Sequence, residues 1–155
     1  MSTIQERLKE LGIELQKVNK PVGSYVPGVR VGKLLYSSGH VPRIDGKVSH
    51  KGKMAPDTPI EHGYMAARNC AITCLSSISH VLGGLENIER IVKVNGYVNA
   101  TPDFTDTPKV LNGASDLLLE IFGEKGKHAR TAVGVATLPE GATCEIEMVV
   151  EVKEP

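Results

Sequence analysis

The stretch His128-Ala129-Arg130-Thr131-Ala132-Val133-Gly134-Val135-Ala136-Thr137-Leu138-Pro139-Glu140-Gly141-Ala142-Thr143-Cys144-Glu145-Ile146-Glu147-Met148-Val149-Val150-Glu151-Val152 decides the fold. Two runs rich in Val and Ala flank Pro139-Glu140-Gly141, a turn signal, and predict a last pair of antiparallel strands. Period two sorts the second run: Cys144, Ile146, Met148, Val150 and Val152 share one face, and Glu145, Glu147 and Glu151 share the other. In the first run Arg130, Ala132, Gly134 and Ala136 share a face that is small beyond the arginine. A guanidinium above a row of small side chains is a place for something flat and anionic to lie.

Working outward, 155 residues suit one domain with a real core. Eighteen basic and 18 acidic side chains cancel, so no sequence-wide field draws nucleic acid. No apolar run approaches the roughly 20 residues that span a bilayer, and Met1-Ser2-Thr3-Ile4-Gln5-Glu6 is no secretory signal. The expectation is a cytoplasmic protein without a membrane partner. Three cysteines, with Cys70 and Cys74 on one helical face, fit small buried thiols in a reducing compartment. The five histidines show no ligand spacing with cysteine, so no metal is expected. No Gly-x-Ser-x-Gly elbow is present.

In chain order, residues 3 to 11 predict a short helix capped by Ser2 or Thr3 and stopped at Gly12. Lys17 to Gly28 reads as an extended segment carrying Tyr25. Val29–Val31 and Leu34–Ser38 form a hairpin through Gly32-Lys33, and Gly39 implies close backbone approach. Arg43 to Asp57 is a loop with one short strand near Val48. A helix follows, with Thr58 as cap, Pro59 at its first position and Gly83-Gly84 at its end. Ile91–Val98 is a strand, and a second long helix runs from about Phe104 to Phe122. Strand–helix–strand crossovers place both long helices on one face of a mixed sheet. The other face, carrying Arg130 and the glutamates, stays uncovered, and a second copy of the chain is its natural cover.

Several segments resemble one known family, the reactive-intermediate imine deaminases, or YjgF/RidA family, whose older naming is endoribonuclease L-PSP. They are Gly23-Ser24-Tyr25, Tyr36-Ser37-Ser38-Gly39-His40-Val41-Pro42, Ile91-Val92-Lys93-Val94, Asp103-Phe104, Ala129-Arg130-Thr131-Ala132-Val133-Gly134-Val135-Ala136, Leu138-Pro139 and Glu145-Ile146-Glu147. The resemblance covers roughly residues 20 to 152 and leaves the N-terminal helix, about 2–12, as an addition of a divergent branch. It implies an α+β, chorismate-mutase-like fold with two helices on one face of the sheet, a homotrimer, and ligand clefts between subunits. It places the ligand arginine at Arg130, the water-handling carboxylate at Glu145, the cleft tyrosine at Tyr25, the Ser-Gly pair at Ser38 and Gly39, and a helix asparagine at Asn112. Ala132 stands where many members carry cysteine, so any role there falls to backbone or to nothing.

The chemistry implied is hydrolysis of small 2-imino acids or their enamines, such as 2-aminoacrylate, to 2-oxo acids and ammonia, without cofactor or metal. A planar carboxylate suits a guanidinium fork, and Glu145 suits proton transfer to water and nitrogen. Arg130 and Glu145 open strands that run oppositely, so they belong near opposite ends of one sheet. A shared site, with one residue from each of two chains, is expected. A non-catalytic trimeric binder or sensor of small 2-oxo or imino carboxylates is the alternative. Ribonuclease activity is disfavoured by neutral charge and by the lack of a basic, aromatic stripe.

Overall fold

The computed structural model describes residues 2–21 and 23–155. Helix α1 (Ile4–Glu10) opens on a capping box between Thr3 and Glu6. It is too short to stand alone. Glu86 accepts from the Ile4 amide (3.1 Å), Leu8 is buried, and Arg7 Nη1 donates to the Ile121 carbonyl (2.9 Å), so three contacts dock it.

Strands β1 (Gly28–Val31) and β2 (Leu34–Ser37) form the expected hairpin, with Gly32 at φ 60° in the turn. The following loop differs from expectation. It holds a paired β3 (Arg43–Ile44) and β4 (Lys47–Val48) around Asp45-Gly46, and buries Met54 against the end of the sheet beside Ala100. Helix α2 (Ile60–Leu82) starts later than expected: Pro59 occupies the cap position and makes no side-chain cap bond. Thr58 Oγ1 instead accepts from the Ala55 amide at 3.0 Å, closing the preceding turn. Gly83, at φ 78°, ends α2 in the left-handed conformation. Strand β5 (Ile88–Asn99) is longer than its alternating centre predicted, and α3 (Thr107–Phe122) begins just before Pro108. Phe104 lies ahead of α3 and is buried in the core.

Strands β6 (Ala129–Val135) and β7 (Cys144–Val152) run in opposite directions but do not pair with each other, which corrects the expected last hairpin. The sheet order is β1-β2-β7-β5-β6, and β5 separates the two. The segment β5–α3–β6 is a parallel crossover unit, so β6 takes one edge of β5. β7 takes the other, antiparallel, and bridges β5 to β2. There its apolar face, Cys144, Ile146, Met148, Val150 and Val152, is buried under the helices at the centre of the sheet. Paired on β6 it would stand at the margin and leave an edge of β5 unbonded.

Helices α2 and α3 pack on one face, and the aliphatic core lies between them and the sheet. Cys70, Cys74 and Cys144 are free, buried thiols within it. The opposite face carries exposed apolar side chains, among them Val29, Val31, Tyr36 and Val133. No helix among the described residues is long and apolar enough to cross a membrane.

Candidate functional site

The chemistry-bearing residues fall into two clusters on opposite faces of the sheet. The first surrounds Arg130, near the start of edge strand β6. Its guanidinium lies on the helix side, not on the uncovered face where the sequence reading had set it. Nη1 donates to Asn112 Oδ1 at 2.9 Å and to Ser115 Oγ at 3.1 Å, both on α3. The reason is parity. Arg130 shares its side of β6 with Ala132, which packs against the core, and the smallness of that row admits α3. Thr107, the first residue of α3, donates to the Ala132 carbonyl at 3.1 Å. The row therefore receives a helix end, and Ala132 contributes its backbone there.

Asn112 and Ser115 stand three apart and so share a helix face. Ser115 Oγ lies 2.9 Å from His128 Nε2, and His128 Nδ1 lies 2.6 Å from the Gly126 carbonyl. Burial holds the His128 imidazole below the ordinary histidine range, and the Arg130 charge adds to the effect against the opposing Gly126 bond. Ser115 and His128 escaped the sequence reading. The available signals were spacings: Ser115 is three residues from Asn112, and His128 is two from Arg130 on the same side of the strand.

The second cluster surrounds Glu145, on the uncovered face. Its neighbours along β7, Cys144 and Ile146, point into the core, so the carboxylate points the other way. A Cβ on Gly39 would collide with that carboxylate, so glycine is what lets the chain pass there. Ser38 Oγ donates to the Val26 carbonyl at 2.6 Å and ties down the segment that carries Tyr25. Tyr25 itself is 54% exposed. Burial raises the Glu145 pKa above the usual carboxylate value, and the Glu147 charge raises it further. Tyr97, paired in register with Glu145, donates its hydroxyl to Glu147, and that bond helps push its own pKa up to about 12. The sequence reading gave Tyr97 no role, and it placed Glu147 only as a neighbour of Glu145 on the same face.

Within one chain the two clusters do not meet. Arg130 is in register with Val94 and Glu145 with Tyr97, three residues further along β5 and on its other side. That offset is about 10 Å along the strand, with the thickness of the sheet between the side chains. A surface cavity of about 490 Å³ lined by Arg90, Val92, Lys127, His128 and Ala129 includes neither Arg130 nor Glu145. No group of three or more His, Cys, Asp or Glu among the described residues is placed to hold a metal ion.

This arrangement has relatives. Residues 5–152 match the family model described as "YjgF/chorismate mutase-like, putative endoribonuclease". The chain belongs to that family. Protein TCP17 of Trypanosoma cruzi is 42% identical over 149 residues, 96% of this chain and 93% of the relative. The solved structure of Atu1372, a protein of unknown function from Agrobacterium tumefaciens, superposes with a TM-score of 0.89 at 40% identity. That match covers 98% of this chain and 94% of the other. A 2-iminobutanoate/2-iminopropanoate deaminase of Dermatophagoides farinae is 28% identical, covering 86% of this chain and 90% of the enzyme. The YjgF match spans β1 to β7 and so takes in both clusters. The α+β, chorismate-mutase-like fold expected from sequence is the fold found.

Proposed function

We propose that this YjgF-family protein hydrolyses small, reactive 2-imino acids and their enamine tautomers to 2-oxo acids and ammonia, at sites shared between copies in a homotrimer. The observation that carries the proposal is the state of Arg130. Two acceptors on α3 hold one terminal nitrogen of its guanidinium. The other donors, Nε and Nη2, have no partner among the described residues and form the planar fork that matches a carboxylate. The deaminase among the relatives supports the same substrate class.

In this reading Arg130 grips the substrate carboxylate, and Glu145 of a neighbouring copy faces the adjacent C=N carbon. Glu145 takes a proton from water as the C–O bond forms and the C=N π pair moves to nitrogen. It returns that proton to the nitrogen to give the carbinolamine, then takes the hydroxyl proton as the C=O bond forms and passes it to the nitrogen as the C–N bond breaks, releasing ammonia and the 2-oxo acid. A carboxyl group whose pKa burial and the Glu147 charge raise holds its proton more readily for the return step. Positioning supplies much of the rate, because such imines already react with water.

The test is ammonia release, or semicarbazide trapping, with 2-aminoacrylate generated in situ. Wild type should accelerate hydrolysis, and Arg130→Ala should lose at least about 100-fold of that acceleration, the scale of a lost charge-assisted, orienting contact. Equal rates would refute the proposal.

A further inference from the structure

We propose that His128 and Ser115 form a directional hydrogen-bond relay that holds the Arg130 guanidinium with its Nε/Nη2 edge, and no other, turned toward the ligand. The inference rests on Arg130 being the carboxylate-binding residue. It adds two positioning residues to that site.

Direction follows from what each atom is able to do. The Gly126 carbonyl only accepts, so His128 Nδ1, 2.6 Å away, carries the ring proton. In the neutral ring Nε2 is then bare and only accepts. Ser115, 2.9 Å away, must spend its single hydroxyl hydrogen on that nitrogen. The Ser115 lone pairs are thereby left facing Arg130, which only donates, at 3.1 Å. Asn112 Oδ1 takes the other Nη1 hydrogen at 2.9 Å. Both hydrogens of Nη1 are committed, and the side-on pair Nε–H and Nη2–H is the one parallel fork left. The ring's depressed basicity keeps the relay in this polarity at neutral pH.

Two substitutions separate this role from simple anchoring of the turn. In His128→Gln the side-chain carbonyl reaches the place of Nε2, keeping the acceptor for Ser115 and losing the Gly126 bond. In His128→Asn the amide reaches the place of Nδ1, keeping the Gly126 bond and losing the acceptor. The ligand-free readout is rotation of the Arg130 guanidinium, followed by NMR of the full chain with labelled arginine and assigned with Arg130→Lys. Resolved Nη hydrogens are expected in wild type and His128→Gln. Averaged signals are expected in His128→Asn and Ser115→Ala. Amide spectra confirm that each variant is folded. Affinity for 2-oxobutyrate should follow the same division, falling about tenfold in the latter pair, the scale of one charge-assisted hydrogen bond. Resolved signals in His128→Asn with averaging in His128→Gln would overturn the relay and leave only an anchored turn. An unaltered Ser115→Ala spectrum would overturn it as well. The expected NMR pattern in a protein that fails to bind 2-oxobutyrate would support the relay and retire the carboxylate reading.

Discussion

Glu145 sits where burial and a like-charged neighbour act in the same direction. Desolvation disfavours its anion, and Glu147, two residues along the same face of β7, repels it. Activity that depends on the Glu145 carboxylate should therefore rise with pH through an inflection above the ordinary glutamate value of about 4.3. Glu147→Gln removes the repulsion and keeps an acceptor for Tyr97, so the inflection should move to lower pH in a kcat/KM profile. An inflection that stays in place would show that Glu147 does not act on Glu145. Alternation along β7 set Glu145, Glu147 and Glu151 apart from the core face, and the family resemblance singled out Glu145 among them. Tyr97 beside it was not legible, since strand pairing between residues 97 and 145 brings it there.

At the scale of elements, two glycines mark where backbone must come close. Gly113 of α3 lies against the Tyr64 carbonyl of α2, and a Cβ there would overlap it. A backbone oxygen in mid-helix has little room to yield, so Gly113→Ala should destabilise the fold by about 2–3 kcal/mol, the upper part of the overpacking range. Denaturant titration measures this, and a change under about 0.5 kcal/mol would mean that the helices slide apart freely. Gly39→Ala meets a side chain instead, the Glu145 carboxylate, which can swing away. Its expected outcome is the reverse: little loss of stability in the same titration and a large fall in kcat. The α2 boundary gives a smaller lesson. Thr58-Pro59 carried a helix-start signal, but the threonine hydroxyl closes the turn before the helix, because the Ala55 amide lies within its reach.

For the whole molecule, the separation of the two clusters makes a prediction independent of any detail of chemistry. Arg130→Ala and Glu145→Gln should each be inactive, yet a mixed population refolded together should regain activity. With one site per contact between copies in a trimer, random mixing at equal amounts restores about one quarter of the sites. No recovery would place both residues of a site in one chain, or neither in a site. Exposed Val31, Tyr36 and Val133 on the uncovered face are consistent with cover by further copies, and Tyr36→Glu should yield monomers by light scattering and abolish activity. Acid should also weaken the fold. Burial is the main cause lowering the pKa of His40, His50 and His128 from 6.5. The unfolded chain takes up these protons more readily than the folded one. Stability is therefore full above about pH 6.5 and declines as pH falls below it toward the folded values. A melting temperature unchanged between pH 7 and pH 5 would contradict this.

Local patterning was sufficient for much of this protein. Alternation marked the strands, three-and-four spacing marked the two long helices, and the family resemblance picked out Arg130 and Glu145 at strand starts. What it could not supply was strand adjacency or the side of the sheet to which each parity belongs. Period two relates residues within one strand, whereas adjacency depends on which edge of β5 each later strand fills. By taking opposite edges, β6 and β7 put β5 between them, turned Arg130 toward α3 and left Glu145 on the open face. Only packing of the whole chain decides that, because the deciding term is burial of the apolar side of β7 beneath the helices, a contact between residues far apart in sequence.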